Sequence, residues 1–124
     1  MEIKELSANS LSFIGDAVYT LKVREFFINR KYQSSKKLQS LCTHYNCARG
    51  QQEVYERLRN QNFFTQEELM IFKRGRNHIN HIPKNGDLLS YQSASGLEAI
   101  VGYLYLTDKE RLDIFFNEVF KQED

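Results

Sequence analysis

The sequence predicts an all-α fold, one domain of about six to seven helices. Three observations lead there. Apolar residues recur at three- and four-residue steps, and no segment alternates apolar with polar as a half-buried strand does. Helix-start residues, a Ser, Thr or Asp just ahead of an apolar run, recur along the chain. The only Pro and two of the six Gly fall in one stretch, residues 75–87, which reads as a loop. The 124 residues suffice for one core and not for two. At 41% hydrophobic and 27% charged residues, the composition is that of a soluble globular protein.

Residues 1–6 read as a short helix or arm. Ser7 or Asn9 can cap a long helix over 9–28, NSLSFIGDAVYTLKVREFFI, ending near Asn29–Tyr32. Leu11, Ile14, Ala17, Val18, Leu21 and Ile28 form its apolar stripe. Asp16 stands inside that pattern, where a carboxylate is costly unless something pairs with it. Gly15 beside it costs a helix up to ~1 kcal/mol relative to Ala. Two adjacent residues that oppose the local pattern mark a candidate functional site. The plainer reading pairs Asp16 with an Arg and lets Gly15 admit a neighbouring helix.

Ser34 or Ser35 caps a helix carrying Leu38, Leu41, Cys42 and Tyr45. Another covers about 47–60, with Val54, Tyr55 and Leu58 inward and a break near Asn46 or Gly50. Thr65 and Glu68 form a capping box, with Phe64 placed to staple onto Leu69. That helix carries Leu69, Met70 and Phe72 and is expected to stop at Gly75 in a left-handed conformation. After the loop, Asn85 or Asp87 caps DLLSYQSASGLEAIVGYLYL, which buries Leu97, Ile100, Val101 and Leu104. Thr107 and Glu110 suggest a second capping box, opening a last helix to about Lys121 with Leu112, Phe115, Phe116 and Val119 inside.

No apolar run approaches a membrane span, and MEIKELSANS has no apolar signal core. Cys42 and Cys47 point to different helix faces and are not expected to bridge. The expected location is the cytoplasm. The net charge is only +1, but it is unevenly spread. Lys22, Arg24, Arg30, Lys31, Lys36, Lys37 and Arg49 face the single acid Glu25. Lys73, Arg74, Arg76 and Lys84, with His78 and His81, form a run without acids, most of it expected in the loop. The first run fits a solvated helix face; the second suggests a polyanion-binding surface.

Glu98 repeats the conflict seen at Asp16, between Leu97 and Ile100 in an apolar helix. Ala94, Ser95 and Gly102 lie on its side and are small. Gly15 next to Asp16, and Gly102 one turn from Glu98, imply two helices in close contact, at whose crossing Asp16 and Glu98 would meet. Two close carboxylates repel unless a cation lies between them. Mg²⁺ is the natural cation, since it takes one or two carboxylates, keeps several waters and accepts phosphate oxygens. A structural ion-paired role is the plainer reading of two such acids. Cys42, His44 and Cys47 are too spread around their helix for zinc, and no phosphate-binding glycine loop occurs.

SFIGDAVY, FKRGRN, PKNGD and SGLEAIVGYLYL, in this order and spacing, resemble the ribonuclease III catalytic domain. The resemblance runs from about Leu6 to Arg111 and is closer still to the Mini-ribonuclease III branch, which lacks a separate double-stranded-RNA-binding domain. It implies an all-α homodimer with an RNA-binding valley. The implied activity is Mg²⁺-dependent hydrolysis of double-stranded RNA to 5′-phosphate and 3′-hydroxyl ends, and in the Mini branch maturation of large-subunit (23S) ribosomal RNA. Asp16 and Glu98 match the family's catalytic metal-site acids. Ser12 and Ser95 stand where full-length relatives carry Glu and Asp, leaving fewer charges for metal and two hydroxyls to orient waters around it. Lys73, Arg74, Arg76, Asn77, Lys84 and Asn85 would bind backbone phosphates. Phe13 resembles a dimer-contact position, its alternative being plain core. A ribosomal protein or the assembling large subunit could present the substrate. The rival readings are a non-catalytic RNA-binding relative serving ribosome assembly and a helical protein-binding adaptor.

Overall fold

The computed structural model describes residues 3–30, 34–79 and 86–123. Among these there are six α-helices and no strand. They are α1 (Ala8–Asn29), α2 (Ser35–Asn46), α3 (Ala48–Asn60), α4 (Gln66–Asn77), α5 (Leu88–Thr107) and α6 (Lys109–Val119). Short 3₁₀ turns, Ile3–Glu5 and Phe120–Glu123, flank them. His81, Lys84 and Asn85 lie outside the described residues.

Local chemistry sets most of the starts. Ser7, Ser34, Thr65 and Asp87 each accept a hydrogen bond from a backbone N–H in the first turn of α1, α2, α4 and α5. Thr65 and Glu68 close the expected capping box. The break between α2 and α3 falls at Cys47, whose extended backbone ends one helix and whose Sγ accepts from Gly50 N at 3.3 Å to begin the next. Both cysteines are free.

α5 is the axis of the molecule. α1, α3, α4 and α6 all pack on it, α1 most extensively, and α2 joins through α1 and α3. It is apolar or small nearly all round, as a central helix must be. Leu97, Ala99, Ile100 and Val101 are fully enclosed. Leu11, Tyr19, Val23 and Phe27 of α1, Leu58 of α3, Phe72 of α4 and Phe115 of α6 complete the core.

Several expectations give way here. On α1 the buried row is Leu11, Gly15, Tyr19, Val23 and Phe27, at four-residue steps. Ala17, Leu21 and Ile28 are exposed instead, because α1 is apolar on two opposite faces and only one meets α5. Gly75 does not end α4: the helix continues to Asn77, and no glycine among the described residues has positive φ. A Cβ at Gly75 would lie 2.7 Å from that of Ala99, so the residue serves helix packing. Arg76, expected in the loop, is therefore helical, as Lys73 and Arg74 before it are. Met70 is exposed and Ile71 is buried in its place. Thr107 closes α5, its hydroxyl donating to Tyr103 O at 2.7 Å, and Asp108 caps α6.

Candidate active site

The site forms where α1 and α5 touch backbone to backbone. A Cβ on Gly15 would run into the carbonyl oxygen of Glu98, and one on Gly102 into that of Leu11. Two side-chain-free positions thus bring opposite helices closer than any larger residue permits, and the pair expected from sequence meets. Asp16 and Glu98 line one cavity, with the Asp16 carboxyl close enough to act on that of Glu98. Asp16, expected to be buried, is exposed at the mouth of a cavity of about 340 Å³, and Glu98 is half-buried behind it. Burial first, then the neighbouring Asp16 charge, push the Glu98 carboxyl up to about 8, while a hydrogen bond from Gln51 pulls the other way.

Ser12 and Ser95 face the same cavity. Ser12 Oγ donates to Ser95 O at 2.8 Å and lies 3.2 Å from Ser95 Oγ. Ser95 Oγ is in turn 2.9 Å from His78 Nε2. His78 therefore belongs to the site floor, a place its position beyond α4 did not indicate. Gln51 was missed as well. It is buried, and its Nε2 donates to Glu98 Oε2 at 3.2 Å. A signal was present: Gln51 shares the helical face of Val54 and Leu58, a polar residue on an apolar stripe just as Asp16 and Glu98 are.

The basic residues stand apart from this cavity. None of Lys73, Arg74 and Arg76 lines it, although α4 leads directly to His78 and Ile79, which do. Arg74 donates to Leu6 O at 2.9 Å and so ties down the N-terminal segment. Arg76 Nε donates to Asn77 Oδ1 at 3.1 Å. Phe13 is not core: it is 83% exposed at the cavity edge. A larger groove, about 400 Å³ between α1 and α2, has no carboxylate among its lining residues and lacks the chemistry of the first.

The donor set suits a hard divalent cation. Two carboxylates close enough to act on one another repel when both ionise, and a cation relieves that. Two hydroxyls stand beside them. Among the described residues no group of three or more His, Cys, Asp or Glu could hold a metal. Two carboxylates match what Mg²⁺ takes from a protein when water and phosphate supply the rest.

The model of the Ribonuclease III domain matches residues 9–109, most of the chain. The chain belongs to the ribonuclease III family. It is 37% identical over 119 residues to Mini-ribonuclease 3 of Staphylococcus aureus, covering 94% of this chain and 89% of that one. It is 33% identical over 123 residues to Mini-ribonuclease 3 of Enterococcus faecalis, covering 98% and 93%. An X-ray structure of a protein from Fusobacterium nucleatum superposes with a TM-score of 0.85 at 30% identity, covering 98% of both chains. The ribonuclease III family consists of endoribonucleases that act on double-stranded RNA and use divalent metal ions. Among the described residues no helix is long and apolar enough to cross a membrane.

Proposed function

We propose that this protein is a Mg²⁺-dependent endoribonuclease that hydrolyses double-stranded RNA to 5′-phosphate and 3′-hydroxyl ends and, in the cytoplasm, matures the ends of large-subunit (23S) ribosomal RNA. The observation that carries the reading is the meeting of Asp16 with Glu98 across two glycine-thinned helices. Asp16 and Glu98 would hold the ion. When bound, Mg²⁺ supplies positive charge against the charge that develops on the phosphodiester during hydrolysis. Ser12 and Ser95, tied to one another, orient water beside the carboxylates, a role their neutral hydroxyls fill without adding repulsion. Lys73, Arg76, Asn77, Lys84 and Asn85 bind backbone phosphates of the duplex. Arg74 can join them only with the part of its guanidinium not held by Leu6 O. Contacts of this kind read A-form shape and give weak sequence preference.

The homodimer belongs to the same reading. α1 leaves Phe13, Ala17, Leu21 and Ile28 exposed on the face opposite α5, an apolar strip that a second copy would cover. The large ribosomal subunit, or one of its proteins, would present the stem.

Cleavage of a duplex RNA with and without Mg²⁺ tests the proposal. Asp16→Asn is expected to abolish cutting while leaving RNA binding largely intact; retained cutting removes Asp16 from the mechanism. A wild-type protein that binds duplex but never cuts it would instead be an RNA-binding module of ribosome assembly. Run across salt, the same binding assay with Arg76→Ala should weaken binding alike for all sequences and reduce the salt slope by about 1.

A further inference from the structure

Glu98 is held from outside the α1–α5 pair, by α3. We propose that Gln51 is a positioning residue for metal binding, whose side-chain amide aims Glu98 at Asp16 without neutralising it. The inference rests on the functional reading above and adds to it a residue from a third helix.

Gln51 is only 3% exposed. An amide nitrogen has two hydrogens to give, and both are committed. One goes to Asn46 O at 3.0 Å, the other to Glu98 Oε2 at 3.2 Å. The first bond anchors the amide on a carbonyl in the last turn of α2; the second reaches α5. The amide oxygen Oε1 is buried with no hydrogen-bond partner. Burial of this side chain is therefore offset through its two donors, which fixes which way the amide must face.

The backbone places the residue as firmly as the bonds do. Cys47, with φ −70° and ψ 160°, turns the chain between α2 and α3. Gly50 then sits against the carbonyl of His44, where any Cβ would collide. Gln51 follows immediately, so its approach to Glu98 is set by the tight α2–α3 joint rather than by a flexible surface arm.

Residue type decides the rest. A Lys or Arg at 51 would pair with Glu98 and compete with an incoming cation. A Glu or Asp would add a third repelling charge beside Asp16. An apolar side chain would leave the Glu98 oxygen without a donor in a half-buried place and free to swing away. A neutral donor holds the carboxylate and leaves its negative charge for the ion, as the outer partners of metal-binding carboxylates do.

Calorimetric titration of Mn²⁺, which takes similar oxygen ligands, into the RNA-free protein tests this. Gln51→Met keeps the length and removes both donors, and is expected to weaken Mn²⁺ binding about 10- to 100-fold. In a Glu98→Gln background the same substitution should change Mn²⁺ affinity no further. Thermal unfolding in EDTA reports whether each variant is folded. If Met unsettles the joint, Gln51→Asn withdraws the amide from Glu98 and carries the same expectation. Unchanged Mn²⁺ affinity in a folded Gln51 variant overturns the inference, as does an equal loss with and without the Glu98 carboxylate. Wild-type protein that binds no Mn²⁺ overturns the functional reading itself, a result visible before any variant is compared.

Discussion

At Gly15 and Gly102 the absence of a side chain is itself the functional feature, because each leaves the space that a carbonyl of the opposite helix occupies. Gly15→Ala is expected to force α1 off α5 at the point where Asp16 meets Glu98. We expect a loss of about 3 kcal/mol or more in urea unfolding, the upper end of overpacking costs, together with loss of cleavage. Glu98 makes a second residue-level prediction. In the metal-free fold it keeps its proton up to about 8, against 4.5 for an ordinary Glu. Below the ordinary value both states are protonated and the proton favours neither. As pH rises towards 8 the unfolded chain ionises while the folded one does not, so stability falls with pH and then levels off. The difference in thermal midpoint between wild type and Glu98→Gln, measured in EDTA across pH 5 to 8, should change steadily in that direction (about one scan per pH unit resolves it). A flat difference would show that Glu98 ionises normally.

Among the elements, α4 shows how one residue can serve a helix end and a tertiary contact together. Glu68 accepts from Thr65 N at 3.0 Å within the capping box. It also accepts from Arg111 of α6, from Nε at 2.8 Å and from Nη2 at 2.9 Å. Burial raises the Glu68 carboxyl, but the Arg111 and Thr65 hydrogen bonds outweigh it and the net shift is downward. Its stabilisation is thus present at neutral pH and lost on acidification through that lowered value. Glu68→Ala should cost about 3 kcal/mol in denaturant unfolding, more than loss of a cap alone, because it strands a partly buried guanidinium. The same helix shows where local reading stops. Thr65 and Glu68 announce the start of α4 within four residues. Gly75 offers an equally local stop, yet α4 runs past it, because that glycine is needed where α4 lies against α5.

For the whole molecule the deciding feature is that α1 has two apolar faces and α5 covers one. The uncovered face, with Phe13 at 83%, Leu21 at 55% and Ile28 at 61% exposure, is the surface assigned above to a second copy. Sedimentation equilibrium of Phe13→Asp is expected to give a monomer where the wild type gives a dimer; a wild-type monomer would remove the dimer from the proposal. The fold class, the starts of α1, α2, α4 and α5 and the meeting of Asp16 with Glu98 were legible, since each leaves a mark in spacing or residue type; the start of α6, at Asp108 rather than Thr107, was not. Which face of α1 turns inward was not legible: Leu21 and Ile28 are as apolar as Val23 and Phe27. Nor was the distance of Lys73, Arg74 and Arg76 from the cavity, because charge along the chain says nothing of where a helix points.

By itself the sequence determined what is local or periodic: the helices, most of their N-terminal caps, and two acids set near glycines in apolar runs. Backbone hydrogen bonding and side-chain period act over a few residues, so a few residues suffice to reveal them. The tertiary structure alone decided that Gln51 reaches Glu98, 47 positions away, that His78 joins Ser95, and that Asp16 stands at the mouth of the site. Those contacts follow from how helices stack on α5, and stacking is settled by the closeness of backbones, a quantity with no period along the chain.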